Sequence, residues 1–203
     1  SIREKVTLMN PSNDTPMTAF VTGSDRGLGF ALTARLLEKG WRVFAGQYMP
    51  DWPQLDRLQK SYPDTLSPVP LDVADGESVR GAAEAVGDRV GGRVGGIDLL
   101  INNAGVISPT MYRTIEETQD YDEIHRMYDV NALGPLRVVD ALLPLTNAGA
   151  MKRLCFVSSE AGSINRCRRD SWYGYCMSKT GLNMAVSMLF NRLRPERYTF
   201  RLY

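Results

Sequence analysis

Five short apolar runs, TAFVTGS, WRVFAG, TLSPVPLDV, GIDLLINNAG and RLCFVSS, close on or beside Gly, Asn, Asp or Ser, and longer stretches with helical spacing lie between them. The runs read as buried parallel strands. The stretches GLGFALTARLLEKG, DGESVRGAAEAVGDRV, ETQDYDEIHRMYDVNALGPLRVVDALLPL and YCMSKTGLNMAVSMLFNRL read as helices. Strand and helix in alternation predict an α/β fold, a Rossmann-like doubly wound parallel sheet with helices on both faces in three layers. Residues 1–17 read as a polar lead-in and 18–203 as one dinucleotide-binding and catalytic domain, which ends at about a sixth strand, RYTFRLY. GDRVGGRVGG reads as a helix exit and a loop. Ligands of such sheets bind beyond the carboxyl ends of the strands, so the residues just past each run carry the interest.

Composition removes several functions. With 24 Lys plus Arg against 23 Asp plus Glu, the net charge is +1. That balance supplies no field for nucleic acid or an anionic membrane. No apolar run approaches the roughly 18 residues of a bilayer span, and SIREKVTLMN has no signal-peptide core. Cys155, Cys167 and Cys176 lack CxxC spacing, and His125 is the single histidine, on a polar helix turn. Neither a metal site nor a disulfide framework is expected, and a cytoplasmic setting follows.

The first run ends in TGSDRGLG, with Gly23, Gly27 and Gly29 between strand and helix. Glycines there let the backbone turn tightly and approach a pyrophosphate, whose charge the N-terminus of the next helix receives. Gly23, Ser24, Arg26, Gly27, Leu28 and Gly29 are the candidate cofactor contacts of this loop. Tyr175 and Lys179 in YCMSK stand four apart, on one face of a helix with roughly 5 to 6 Å between Cβ atoms. At about 5 Å and an effective dielectric near 20, the lysine charge is worth roughly 3 kcal/mol, about two pKa units of a phenol. Such a pair makes a working proton donor and acceptor; the alternative is a surface Tyr packed on a Lys stem.

Asn131 lies on the apolar stripe of Ile124, Met127 and Tyr128. Pro135, four residues later, has no N–H, so the carbonyl of Asn131 loses its helical partner and a kink with an inserted water is expected. That acceptor suits a proton relay, or it is a structural kink only. Met184, Met188, Leu189 and Leu193 form a stripe expected in the core.

The ordered set TGSDRGLG, LDV, INNAG, VNALG, VSS and YCMSK resembles the short-chain dehydrogenase/reductase family from about Thr18 to Leu193, and its glycine spacing resembles the branch of simple carbonyl and alcohol oxidoreductases. The resemblance implies a hydride exchanged between NADP or NAD and a small carbonyl or secondary alcohol. It implies Tyr175 as general acid and base, and Lys179 as its activator and a ligand of the nicotinamide ribose. Ser159 would hold the substrate oxygen and Asn131 a relay water. Asp72 would meet the adenine with Val73 lining it, and Asn103, Ala104 and Gly105 would back the cofactor. A homodimer or homotetramer through the helices of Asn131 and Tyr175 is also implied.

Some features depart from the family pattern. About 18 positions beyond Gly29, where an acid would bind the adenosine 2′-hydroxyl, stands Gln47. With Arg26 in the glycine loop this favours NADP, although Gln47 could serve NAD and Arg26 could be a solvated turn residue. Ser159 and Tyr175 are 175 − 159 = 16 apart, longer than is usual, and thirteen residues before Tyr175 stands Gly162, without a hydroxyl. Ser158 and Ser163 are alternatives to Ser159. Arg166, Arg168 and Arg169 are either a lure for an anionic substrate or a solvated loop. The chain stops where family members continue into a substrate-covering lid, so it is expected to lack the family's C-terminal part. The competing functional reading is a catalytically silent dinucleotide-binding or regulatory module.

Overall fold

The computed structural model describes residues 16–90 and 95–203. The strands are β1 (Thr18–Val21), β2 (Arg42–Gln47), β3 (Leu66–Pro70), β4 (Leu99–Asn102), β5 (Arg153–Phe156) and β6 (Thr199–Leu202). The helices are α1 (Gly27–Glu38), α2 (Pro53–Ser61), α3 (Gly76–Val90), α4 (Tyr121–Tyr128), α5 (Gly134–Asn147) and α6 (Tyr173–Leu193). All strand pairs are parallel, in the order β3-β2-β1-β4-β5-β6. The chain builds outward from β1 to β3, then returns to the other side of β1 as β4. The crevice between the carboxyl ends of β1 and β4 is the switch point.

Side chains that alternate along the strands sort into two cores. Ala19, Val21, Val43 and Ala45 face Leu37 of α1 and Leu55 of α2. Phe20, Phe44, Leu100 and Leu154 face Val79 and Val86 of α3, Val138 and Leu142 of α5 and Leu182 of α6. Each large side chain fully withdrawn from water contributes about 1.5–3 kcal/mol. This double burial is why the strands read as unbroken apolar runs, and the result is the three-layer architecture.

Three differences from the sequence reading have local causes. Helix α2 lies in the stretch between the second and third runs, where Leu55 is its one fully buried residue, so it has little apolar period to read. The long third stretch is two helices. Asp120 caps α4, its carboxylate accepting from the amide of Glu123 at 3.1 Å, and a π turn over Asp129–Leu133 leads into α5. Met184 and Met188 are not core: they are 63% and 65% exposed on α6, whereas Leu193 is buried. The lead-in lies outside the described residues as far as position 15, as do positions 91–94 of the glycine-rich loop.

Candidate active site

The glycine loop is shaped by close approach. Gly23 has φ +64°, and a Cβ on Gly29 would lie 2.0 Å from the Gly23 carbonyl oxygen. No side chain fits there, so α1 begins directly beneath the turn. Asn103 ties this loop to β4: its Nδ2 donates to the carbonyls of Thr22 and Gly23 at 3.0 and 3.1 Å. The Thr22 hydroxyl accepts from the amides of Asn103 and Ala104, each at 2.9 Å. Arg26, Gly27 and Leu28 face outward, and the first turn of α1 has neither a capping side chain nor an acid. A cradle closed to Cβ atoms below and uncapped amides above fit a pyrophosphate. The indole N–H of Trp52 is buried without a partner, and the guanidinium of Arg26 lies over its ring.

Two of the expected cofactor contacts point inward. Ser24 is fully buried, its amide given to the Gly46 carbonyl at 2.9 Å and its hydroxyl to that of Val21 at 2.9 Å. It braces the loop from within because the turn folds back over β1. The side chain of Val73 packs into the core against Gly134, where an added Cβ would meet it at 2.9 Å, so it lines α5 rather than a cleft. Asp72 is half-buried, with one carboxylate oxygen accepting from the Ala74 amide at 2.9 Å. Gln47 is half-buried at the end of β2.

The sequence reading overlooked Asp25. It is 5% exposed, and its carboxylate accepts from the amides of Tyr48 at 3.0 Å and Met49 at 3.3 Å, immediately beyond Gln47. Burial raises its pKa, against the pull of those amides and of Arg26. The D-x-G pattern alone gave no sign of a contact reaching 24 residues ahead.

On the other side of the switch point, α4 packs closely on α6 because Gly174 leaves room: a Cβ there would lie 2.6 Å from Met127 Cε. That approach brings Asn131, in the π turn, against α6. Its Oδ1 accepts from the Val106 amide at 2.7 Å, while Nδ2 donates to the Val106 carbonyl at 2.9 Å and Ser178 Oγ at 3.1 Å. The cost of burying this amide is met in full by protein partners. The π turn is the form the expected kink takes.

Lys179 is 4% exposed and donates to the Val157 carbonyl, just past β5, at 3.0 Å. Loss of hydration lowers its pKa to about 8. Its Nζ lies 5.8 Å from the centroid of the half-buried Tyr175 ring. A Cβ on Gly105 would lie 3.3 Å from Asn131 Oδ1 and 3.7 Å from Lys179 Nζ, so β4, the π turn and α6 converge at one point.

Ser159 starts a tight turn, its hydroxyl accepting from the Ala161 amide at 3.2 Å, which leaves its own O–H free to donate. Ser158 Oγ instead donates to Asn183 Oδ1 at 2.6 Å, which takes it out of contention. Asn183 Nδ2 and Thr180 Oγ1 both donate to the Gly162 carbonyl at 3.2 Å. No serine fits at Gly162, where a Cβ would lie 2.9 Å from the Lys179 carbonyl. The longer spacing is taken up by an arginine-bearing loop. Arg169 pairs with Glu160 and lies over Trp172, whose ring meets Tyr175 edge-on at 5.9 Å. One of the three arginines therefore already has its anion. Trp172 enters α6 at φ +67°, a left-handed conformation that a bulky residue adopts at a cost of about 1 kcal/mol or more.

Known proteins share this arrangement of elements. The profile of the short chain dehydrogenase family matches residues 17–200, and the chain belongs to that family. An uncharacterised oxidoreductase of Schizosaccharomyces pombe is 32% identical over 183 residues, 89% of this chain and 69% of that protein. Retinol dehydrogenase 5 of Mus musculus is 36% identical over 179 residues, 87% of this chain; the chain spans 52% of that relative's length. The NADPH-bound carbonyl reductase from chicken fatty liver superposes with a TM-score of 0.81 at 30% identity, covering 93% of this chain and 78% of that one. Among the described residues no helix is long and apolar enough to cross a membrane.

Proposed function

We propose that this chain is an NAD(P)-dependent oxidoreductase that interconverts a small ketone or aldehyde and its alcohol. The observation that carries the reading is the buried Lys179, held by the Val157 carbonyl one helical turn from Tyr175, at the carboxyl ends of β4 and β5. A lysine so placed costs burial energy that packing alone does not explain.

The nicotinamide, when bound, supplies or accepts the hydride. The loop from Gly23 to Gly29 and the first turn of α1 would hold its pyrophosphate, with Asn103, Ala104 and Gly105 behind, Asp72 towards the adenine and Lys179 towards the ribose. Arg26 favours NADP over NAD through its charge, in keeping with the NADPH-bound carbonyl reductase among the relatives. In reduction, the Tyr175 hydroxyl gives its proton to the substrate oxygen, and the Ser159 O–H donates a hydrogen bond to that oxygen. Lys179 stabilises the phenolate left behind. A water on the main-chain carbonyl of Asn131 returns the proton, while the side chain of Asn131 is occupied in fixing the π turn.

Tyr175→Phe tests the reading. Carbonyl-dependent oxidation of NADPH, followed over a panel of small ketones and aldehydes, should fall by about a thousandfold while the thermal midpoint stays put. Turnover that survives the change rules out Tyr175 as the acid; wild type that binds cofactor but turns nothing over favours the silent module.

Helix α6 also supports a homodimer or homotetramer. Met177, Met184 and Met188 lie exposed along one face of it, and Leu136 of α5 is exposed too. Sedimentation showing only monomer at working concentration removes this part of the reading.

A further inference from the structure

The adenosine end of the crevice carries two opposed charges, and the reading above uses only one. In folds of this kind an acid at the end of β2 reads the ribose 2′ position and turns away a 2′-phosphate. Here β2 ends in Gln47, yet the position is not neutral. Asp25 reaches it from the glycine loop, and its carboxylate occupies the amides of Tyr48 and Met49, the two residues that follow Gln47. Its neighbour Arg26 lies 5.4 Å from the centroid of Trp52, at the entrance to α2 on the same side of the crevice. Asp25 is buried and Arg26 exposed, so the negative charge is fixed by the fold while the positive one faces solvent. A fixed charge in a poorly hydrated position acts on a nearby anion more strongly than an exposed one.

We propose that Asp25 is a cofactor-discriminating residue: its carboxylate, locked at the end of β2 by two backbone amides, offsets Arg26 and limits the preference for a 2′-phosphorylated dinucleotide. The proposal rests on the dinucleotide reading given above. It makes a joint prediction for both charges. Removing Asp25's charge sharpens discrimination, and removing Arg26's leaves little to lose.

Asp25→Asn removes the charge at nearly constant shape: the Asn carbonyl can still receive the Tyr48 amide, while its NH2, a donor, gives up the bond from Met49. Titration of adenosine 2′,5′-bisphosphate and of 5′-AMP, followed by calorimetry at neutral pH and above, reads the effect without turnover. The bisphosphate should bind Asp25→Asn about tenfold more tightly than wild type, the size of one screened charge interaction, with 5′-AMP changed by less than about twofold. Arg26→Gln in the otherwise native chain should weaken the bisphosphate by no more than about threefold. Equal shifts for both probes, or a bisphosphate affinity unmoved in Asp25→Asn, overturn the proposal and leave the oxidoreductase reading standing. If Asp25→Asn does not fold, the Arg26→Gln titration decides alone, a loss beyond about threefold overturning the proposal. Wild type that binds neither probe overturns the proposal and the cofactor reading together.

Discussion

The two rims of the sheet are built from the same parts and end in different states. At the amino rim a buried carboxylate, Asp98, accepts from the amides of Thr18 at 2.9 Å, Ala150 at 2.8 Å and Met151 at 3.2 Å, which ties the starts of β1 and β5 together. A Cβ on Gly149 would lie 2.1 Å from the Ile97 carbonyl oxygen, as tight as the approach at Gly29. At the carboxyl rim Gly29 and Asp25 play parallel parts, but there Arg26, Gly27 and Leu28 face outward over the uncapped start of α1, and a lysine is buried one turn from a tyrosine. Tight glycines and buried acids are therefore not by themselves the mark of a site. The mark is donors and charges that the fold holds ready without committing them to itself.

The comparison can be broken most sharply at the glycines. Gly29→Ala should weaken dinucleotide binding by about a hundredfold, measured by cofactor fluorescence on folded protein. Gly149→Ala should leave that affinity unchanged and instead lower stability by at least about 3 kcal/mol in urea unfolding, because its Cβ meets backbone that cannot yield. If both variants lose binding equally, the rims are not functionally distinct. Asp98→Asn should cost about 2 kcal/mol, with turnover unchanged below the transition, since an amide nitrogen replaces one of its acceptor oxygens.

The smallest effect is a pH dependence. Lys179 holds its proton to an ordinary pKa near 10.5 when unfolded but releases it at about 8 in the fold. Below pH 8 its burial as an ammonium costs stability; between 8 and 10.5 the unfolded chain binds more protons, so stability rises with pH. From pH 8 to 9 wild type should gain about 1 kcal/mol relative to Lys179→Met. A flat difference between the two denaturation series would mean that the lysine is solvated.

What was legible in the sequence was whatever depends on neighbours along the chain. The runs feeding β1 to β6, the glycine turn, and the four-residue step from Tyr175 to Lys179 all express local periodicity or local sterics. Asp25 was not legible, because its contacts at Tyr48 and Met49 are set by how β1 and β2 end side by side; counting along β2 finds only Gln47. Ser24 misled for the converse reason: a hydroxyl in a glycine loop looks available until the turn folds it under Val21. Met184 and Met188 share a helical face, but periodicity identifies a face without saying what covers it.

The lacing between β5 and α6 has a mechanical outcome. Lys179 hooks the residue after β5, Asn183 clasps Ser158, and Thr180 and Asn183 hold Gly162, so the turn carrying Ser159 and the helix carrying Tyr175 are riveted on both flanks. The gauge between the two hydroxyls is then set by bonds between β5 and α6 rather than by the free play of a loop.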